Sequence, residues 1–120
     1  MSVYIKQIEI EGGIRDFEFG QVECNDGFTM SVQASREHYC NPRDNDGPYI
    51  RVEVGFPSNP EPLLAPYSEI KGDWDEKTDQ YIPFSDCKLL MRTPTQVFPY
   101  TPIELVYSVI KRHGGRKKSN

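Results

Sequence analysis

The chain has 120 residues, a formal charge of −4 and a pI near 5.2, which argues against general nucleic-acid binding, because that requires a basic stripe to neutralise phosphates. No apolar run approaches the roughly 18 residues of a membrane span, and the N-terminus lacks a signal-peptide core. Three widely spaced cysteines, Cys24, Cys40 and Cys87, do not make a secreted disulfide framework, so one cytosolic domain over 1–115 is expected, with a basic disordered tail over 116–120.

In chain order, "VYIKQIEI" (3–10) is rich in β-branched residues and ends at "EGG", a strand followed by a turn. In "IRDFEFGQVEC" (14–24), Phe17 and Phe19 alternate with Asp16 and Glu18, but Val22 and Cys24 fall on the opposite parity. Gly20, where the alternation slips, predicts a β-bulge or a second turn. "NDG" (25–27) predicts a tight turn. "FTMSVQAS" (28–35) places Phe28, Met30, Val32 and Ala34 inward, with Thr29, Ser31, Gln33 and Ser35 outward. "YIRVEVGF" (49–56) places Ile50, Val52, Val54 and Phe56 inward, with Tyr49, Arg51 and Glu53 outward. These two strands form an antiparallel pair, joined by "REHYCNPRDNDGPY" (36–49). At about 13 residues that connection exceeds what a hairpin needs, and loops of such length tend to be functional.

From 57 to 96 the chain is Pro-rich and irregular, with "KGDWDEKTDQ" expected as an exposed loop, "SDCKLLMR" (85–92) as a short helix capped by Ser85, and "TQVFPY" (95–100) as an edge strand. "TPIELVYSVIKRHGG" then carries a helix signal: Thr101 as N-cap, Pro102 at the first position and Glu104 completing a capping box. Ile103, Val106, Tyr107 and Ile110 share a face, Lys111, Arg112 and His113 suit the helix C-terminus, and Gly114 ends it.

Three kinds of chemistry compete. Cys24, His38, Cys40 and Cys87 are zinc-type ligands, but no C-x-x-C pair is present and a small buried thiol is the commoner role, so no metal or cofactor is expected. Cys40 with His38 or His113 could make a thiolate–imidazole pair, yet no nucleophile elbow or Gly-rich loop accompanies it. The outward row Thr29, Ser31, Gln33 and Ser35 is uncharged and hydrogen-bonding, as suits a surface meant to be covered, whether by a partner, a ligand, or the protein's own C-terminal helix or 57–96 segment. The adjoining loop adds Arg36, Tyr39 and Arg43, whose guanidinium forks suit carboxylate or phosphate.

The runs SVQAS, YC-x-PR, GPY and VEVGFPS between 25 and 69, with VFPYTPIELVYSVIKRHGG over 97–115, resemble a type of small accessory protein encoded by tailed phages and prophages. Ser31, Gln33, Tyr39, Cys40, Pro42, Arg43, Pro48 and Tyr49 lie in the matching motifs, while 70–96 departs from them as an insertion. The resemblance implies action in the infected bacterial cytosol, where such proteins commonly block a host factor or sequester a signal molecule.

The expected fold is α+β, a small antiparallel sheet of about four to six strands packed by the C-terminal helix. The leading functional reading is a non-enzymatic protein that binds and inhibits a host defence or housekeeping protein. Its candidate contact residues are Ser31, Gln33, Ser35, Arg36, Tyr39, Cys40, Arg43, Tyr49 and Arg51. The alternatives are a binder of an anionic, nucleotide-like ligand gripped by Arg36, Arg43 and Arg51, and a Cys40-dependent enzyme. Leu63, Leu64 and Trp74, if exposed, would leave room for a homodimer.

Overall fold

The computed structural model describes residues 4–69, 72–83 and 97–118. Its elements are β1 (Tyr4–Ile10), β2 (Gly13–Glu23), β3 (Thr29–Gln33), β4 (Arg51–Gly55), a 3-10 turn (Ala65–Tyr67), β5 (Gly72–Asp75), β6 (Gln80–Pro83), β7 (Val97–Pro102) and α1 (Ile103–Arg112). Five strands make an antiparallel sheet in the order β1-β2-β3-β4-β7, and α1 packs on it, an α+β fold as the residue pattern implied. Among the described residues no helix is long and apolar enough to cross a membrane.

Gly20 explains the parity slip in β2. Residues 13–19 pair with β1, and residues 20–23 pair with β3. The strand runs through Gly20 without a second turn, and Gly20 takes φ 111°, so the bend changes which side chains face the core. Phe17 and Phe19 are buried before the bend, Val22 and Cys24 after it.

On β3 the alternation holds. Phe28, Met30, Val32 and Ala34 join one buried cluster with Ile103, Val106, Val109 and Ile110 of α1. The helix therefore covers the inward face, and Thr29, Ser31 and Gln33 lie half-buried on the other. Pairing of Ser31 with Gly55 and Gln33 with Glu53 establishes the antiparallel register of β3 and β4.

The alternation over 49–56 holds for 51–54, with Val52 and Val54 buried and Arg51 and Glu53 on the outer side. Tyr49, expected outward, is fully buried, whereas Ile50 and Phe56, expected inward, are 41% and 56% exposed. The reason is local. The N–H groups of Ile50 and Arg51 both donate to the Asn41 carbonyl, at 2.8 and 3.3 Å, the two-against-one pairing that shifts parity in a strand. Tyr49 itself pairs with β1: its N–H donates to Gln7 O (3.0 Å) and its carbonyl accepts from Glu9 N (2.9 Å). At the far end Phe56 takes a left-handed φ of 54°, which takes its ring out of the alternation, and Ser58 N then rejoins Thr29 O at 2.9 Å.

Further corrections concern the second half. "KGDWDEKTDQ" is largely a two-stranded hairpin, β5 against β6, with Trp74 opposite Tyr81 and the exposed turn at Glu76–Asp79. Leu64 is buried in the core and Leu63 is half-buried against it, so neither forms the exposed apolar surface suggested for a dimer. The helix expected over 85–92 lies outside the described residues. β7 pairs with β4 at the end of the sheet order, the edge position anticipated for "VFPY".

The capping box does not form. Thr101 is buried in β7 and its hydroxyl donates to Phe98 O at 3.0 Å; Pro102 occupies the N-cap without a side-chain bond. Glu104 still lies in the first turn, and Lys111 and Arg112 in the last, complementing the helix dipole. Arg116 and Lys117, anticipated within a loose tail, are bonded to β2: Arg116 bridges with Cys24, and Lys117 N donates to Glu23 O at 2.7 Å.

Two glycines separate backbone strain from packing. A Cβ at Gly20 would meet nothing within 4 Å, so Gly20→Ala costs only its backbone strain, about 1–2 kcal/mol. A Cβ at Gly47 (φ 70°) would lie 3.0 Å from the Tyr49 ring and 3.1 Å from Gln7 O. Gly47→Ala should therefore cost about 3 kcal/mol or more, because strain and displacement of Tyr49 add. Urea denaturation of both variants checks the order; equal costs would mean that Tyr49 does not pack tightly against this turn.

Candidate functional site

The 35–48 loop is held from beneath by buried groups. Tyr49 is fully buried, its ring edge-on to Phe19 at 5.8 Å, and its hydroxyl donates to Asp44 O at 2.8 Å. Burying such a ring is worth about 2–3 kcal/mol. An unbonded phenol there would give back about 1–3 kcal/mol, so the bond to Asp44 keeps the burial favourable. Desolvation, reinforced by Cys40, Asp44 and Asp46, pushes the Tyr49 pKa up to about 12, which keeps the hydroxyl a donor.

Cys40 is equally buried. Its Sγ lies 3.2 Å from Ser35 O and 3.3 Å from Pro42 O, where its single S–H donates to one of them. Burial raises its pKa, against a smaller lowering by the Ser35 hydrogen bond. His38, proposed as its base, instead bonds through Nδ1 to Ser35 Oγ at 2.6 Å, and His113 is engaged elsewhere, as set out below. The thiolate–imidazole pair is therefore not formed, and Cys40 and Tyr49 serve as anchors beneath the loop rather than contact residues. Among the described residues no three His, Cys, Asp or Glu side chains are grouped to hold a metal; Cys87 lies outside them.

Above these anchors the loop presents Tyr39, 45% exposed, beside Tyr100, 41% exposed, with ring centroids 6.0 Å apart. The two backbones are joined, Tyr100 N donating to Tyr39 O at 3.1 Å. Tyr100 holds a left-handed φ of 53°, a conformation of real cost for a bulky residue, within the irregular stretch of the β4–β7 ladder. Glu53 Oε2 accepts from Tyr39 N at 3.2 Å. The Arg43 guanidinium stacks 5.0 Å from the Tyr39 ring, and its Nε donates to Arg36 O at 3.2 Å. Tyr39, Arg36, Arg43 and Ser35 are thus brought together, with Gln33 facing Glu53 across the β3–β4 ladder and Ser31 one step further along it.

Arg51 does not join them. It lines a separate cleft of about 280 Å³ with Glu9, Glu11, Glu104, Ile50, Gly12 and Pro102. With the Asn41 amide oriented to satisfy both of its neighbours, its oxygen accepts from Arg51 Nη1 at 3.3 Å. Three glutamates line that cleft with Arg51, and no contact brings it to Arg36 or Arg43, so the three-arginine grip expected for an anion is not assembled among the described contacts. Residue spacing did not reveal Tyr100: "VFPY" marks an aromatic strand, but its exposure depends on the backbone turn at residue 100.

A second cluster was also invisible in the sequence. His113, following α1, bonds through Nδ1 to Asp26 Oδ2 (2.6 Å) and through Nε2 to Glu61 Oε1 (2.8 Å), with Phe28 stacked on its ring at 4.0 Å. Glu61 is buried; Arg112 Nε lies 3.3 Å from the same oxygen, and its other oxygen accepts from Leu63 N. Burial of His113 lowers its pKa, but the bonds to Asp26 and Glu61 outweigh it and the net shift is upward. Asp26 is held below the usual carboxylate range, chiefly by the Phe28 backbone N–H and then by His113. With both ring nitrogens occupied, His113 has no free lone pair for a base or a metal; it ties the end of α1 to the 25–28 turn.

No protein-family model, curated protein or solved structure matches the chain. The candidate site therefore rests on its own geometry.

Two outcomes check these assignments. In native protein Cys24 and Cys40 should resist alkylation by iodoacetamide, both being buried with raised pKa values; rapid labelling of Cys40, mapped by peptide mass, would restore it as a reactive group. His113→Gln should destabilise the protein by on the order of 2 kcal/mol through loss of the charged bond to buried Glu61. The folded pKa of His113 lies above its ordinary 6.5, so this contribution is complete below 6.5 and fades as pH rises through the folded value. Asp26 acts oppositely: its part is present above 3.8 and lost as pH falls through its lowered folded value. The difference between wild type and variant in urea should peak between those two ordinary values, and a difference independent of pH would refute the clamp.

Proposed function

We propose that this protein is a non-catalytic binding module that docks a partner protein on the surface built by Tyr39, Tyr100, Arg43 and Arg36, continued by Ser31, Gln33 and Ser35. The observation that carries this is the exposed, backbone-linked tyrosine pair with an arginine stacked on it. Tyr and Arg are the side chains most enriched at the energetic centres of protein interfaces. Tyrosine brings large contact area at low rotamer entropy, and here the backbone beneath is held by buried Tyr49 and Cys40, so little ordering cost remains for association.

The resemblance to phage and prophage accessory proteins supports the biological setting. Tyr39 and Arg43 lie in the YC-x-PR run that carries it. On that reading the module acts in an infected bacterial cell, where occupying a host defence or housekeeping protein inhibits it. A small anionic ligand is less well supported, since Arg51 sits among glutamates away from this patch, and a Cys40-dependent reaction lacks an accessible thiol.

Replacing Tyr39 and Arg43 together by Ala should abolish capture of the partner from bacterial extract while changing stability by less than about 1 kcal/mol, because both side chains are exposed. Quantitative mass spectrometry of captured proteins, paired with thermal unfolding, reads both effects. An unchanged set of captured proteins with an unchanged melting temperature would remove this surface as the site.

A further inference from the structure

The charged groups of the loop are used unequally. Glu37 and Asp46 are exposed, whereas Asp44 Oδ1 accepts from Asp46 N (3.0 Å) and Gly47 N (2.9 Å), and Glu53 Oε2, on β4, accepts from Tyr39 N. These carboxylates satisfy backbone donors of the loop and its neighbour. The two arginines are not paired with them. Among the described residues Arg36 and Arg43 form no ion pair, and the only side-chain hydrogen bond of either is from Arg43 Nε to Arg36 O. Stacking on Tyr39 holds the Arg43 plane in place and leaves its two terminal nitrogens free, in the fork geometry that matches a carboxylate. The loop also carries exposed Glu37 and Asp46, but neither pairs with Arg43, whose terminal nitrogens stay free over the Tyr39 ring.

Resting on the protein-binding reading above, we infer that the partner contributes an acidic segment, an Asp or Glu beside an apolar side chain. The carboxylate takes the Arg43 fork, with Arg36 adding positive potential, and the apolar group packs on the tilted faces of Tyr39 and Tyr100. The unpaired Arg43 fork selects this occupant: a basic segment offers it no acceptor, and a nucleic acid strand would meet repulsion from a chain of net charge −4.

Selection from a random dodecapeptide display library tests the inference. The bait is the full chain, with counter-selection on the Tyr39→Ala, Arg43→Ala double variant and thermal unfolding confirming that both baits are folded. The expected result is enrichment of peptides carrying Asp or Glu next to Leu, Ile, Pro or an aromatic. Affinity for the best of them should fall roughly tenfold when the acid becomes its amide, and by a similar factor with Arg43→Lys, which keeps the charge but loses the fork. Arg43→Glu should restore binding to the peptide whose acid is replaced by Lys. Enrichment that depends on Tyr39 and Arg43 but lacks acidic residues would overturn the acidic-segment inference and leave the binding surface intact. Enrichment equal on both folded baits, or absent on both, would overturn the binding surface as well.

Discussion

The burial of Tyr49 is the constraint on which the site depends. Its backbone is paired with β1 through Gln7 and Glu9, and its hydroxyl holds Asp44, so one residue ties the end of the loop, the first strand and the loop's own middle together. Lys6 adds to the same knot, its ammonium bonded to Ala34 O and lying 5.8 Å from the rings of Phe19 and Tyr49. A long loop would ordinarily sample many conformations; this one is closed over a packed aromatic. Tyr39 and Arg43 consequently sit on a backbone with little freedom left to lose.

The same logic of carboxylates satisfying internal donors recurs across the molecule. Asp26 accepts from Phe28 N and His113, Glu61 from Leu63 N and His113, Asp44 from two turn amides, and Glu53 from Tyr39 N. In this acidic chain several carboxylates thus bond to backbone amides and to His113, and none of them pairs with Arg36 or Arg43. Net charge describes the far field, and hydrogen-bond commitment decides which donors and acceptors a partner finds free at contact.

Much of the architecture was legible from residues alone. Alternation over 28–35 located β3 and its core face, the slip at Gly20 located the bend in β2, and the Ile103, Val106, Ile110 spacing located the helix. Errors arose where a neighbour decided the outcome. Strand parity extended back to Tyr49 places it outward, because the bulge lies in the pairing with Asn41 and not in the side chains. Thr-Pro-x-Glu fits the capping motif at Thr101, but burial in β7 gives its hydroxyl a nearer acceptor at Phe98. Of the candidate contact residues, Arg43 meets Tyr39 and the Arg36 carbonyl, Ser31, Gln33 and Ser35 lie half-buried on or just after β3, Cys40 and Tyr49 lie in the core, and Arg51 lines another cleft.

What the sequence by itself determined is the set of elements whose signal is local: period-two strands, turn residues and an amphipathic helix, together with the α+β class they compose. Local patterns carry this because side-chain direction follows from backbone periodicity within a few residues. Tertiary structure alone decided the meeting of Tyr39 with Tyr100, and of His113 with Asp26 and Glu61. Those partners are 52 to 87 residues apart for His113. Each pairing exists only because strand order brings distant segments together, and in Tyr100's case because a left-handed residue turns within a strand. No periodicity encodes such encounters; they are properties of the assembled sheet.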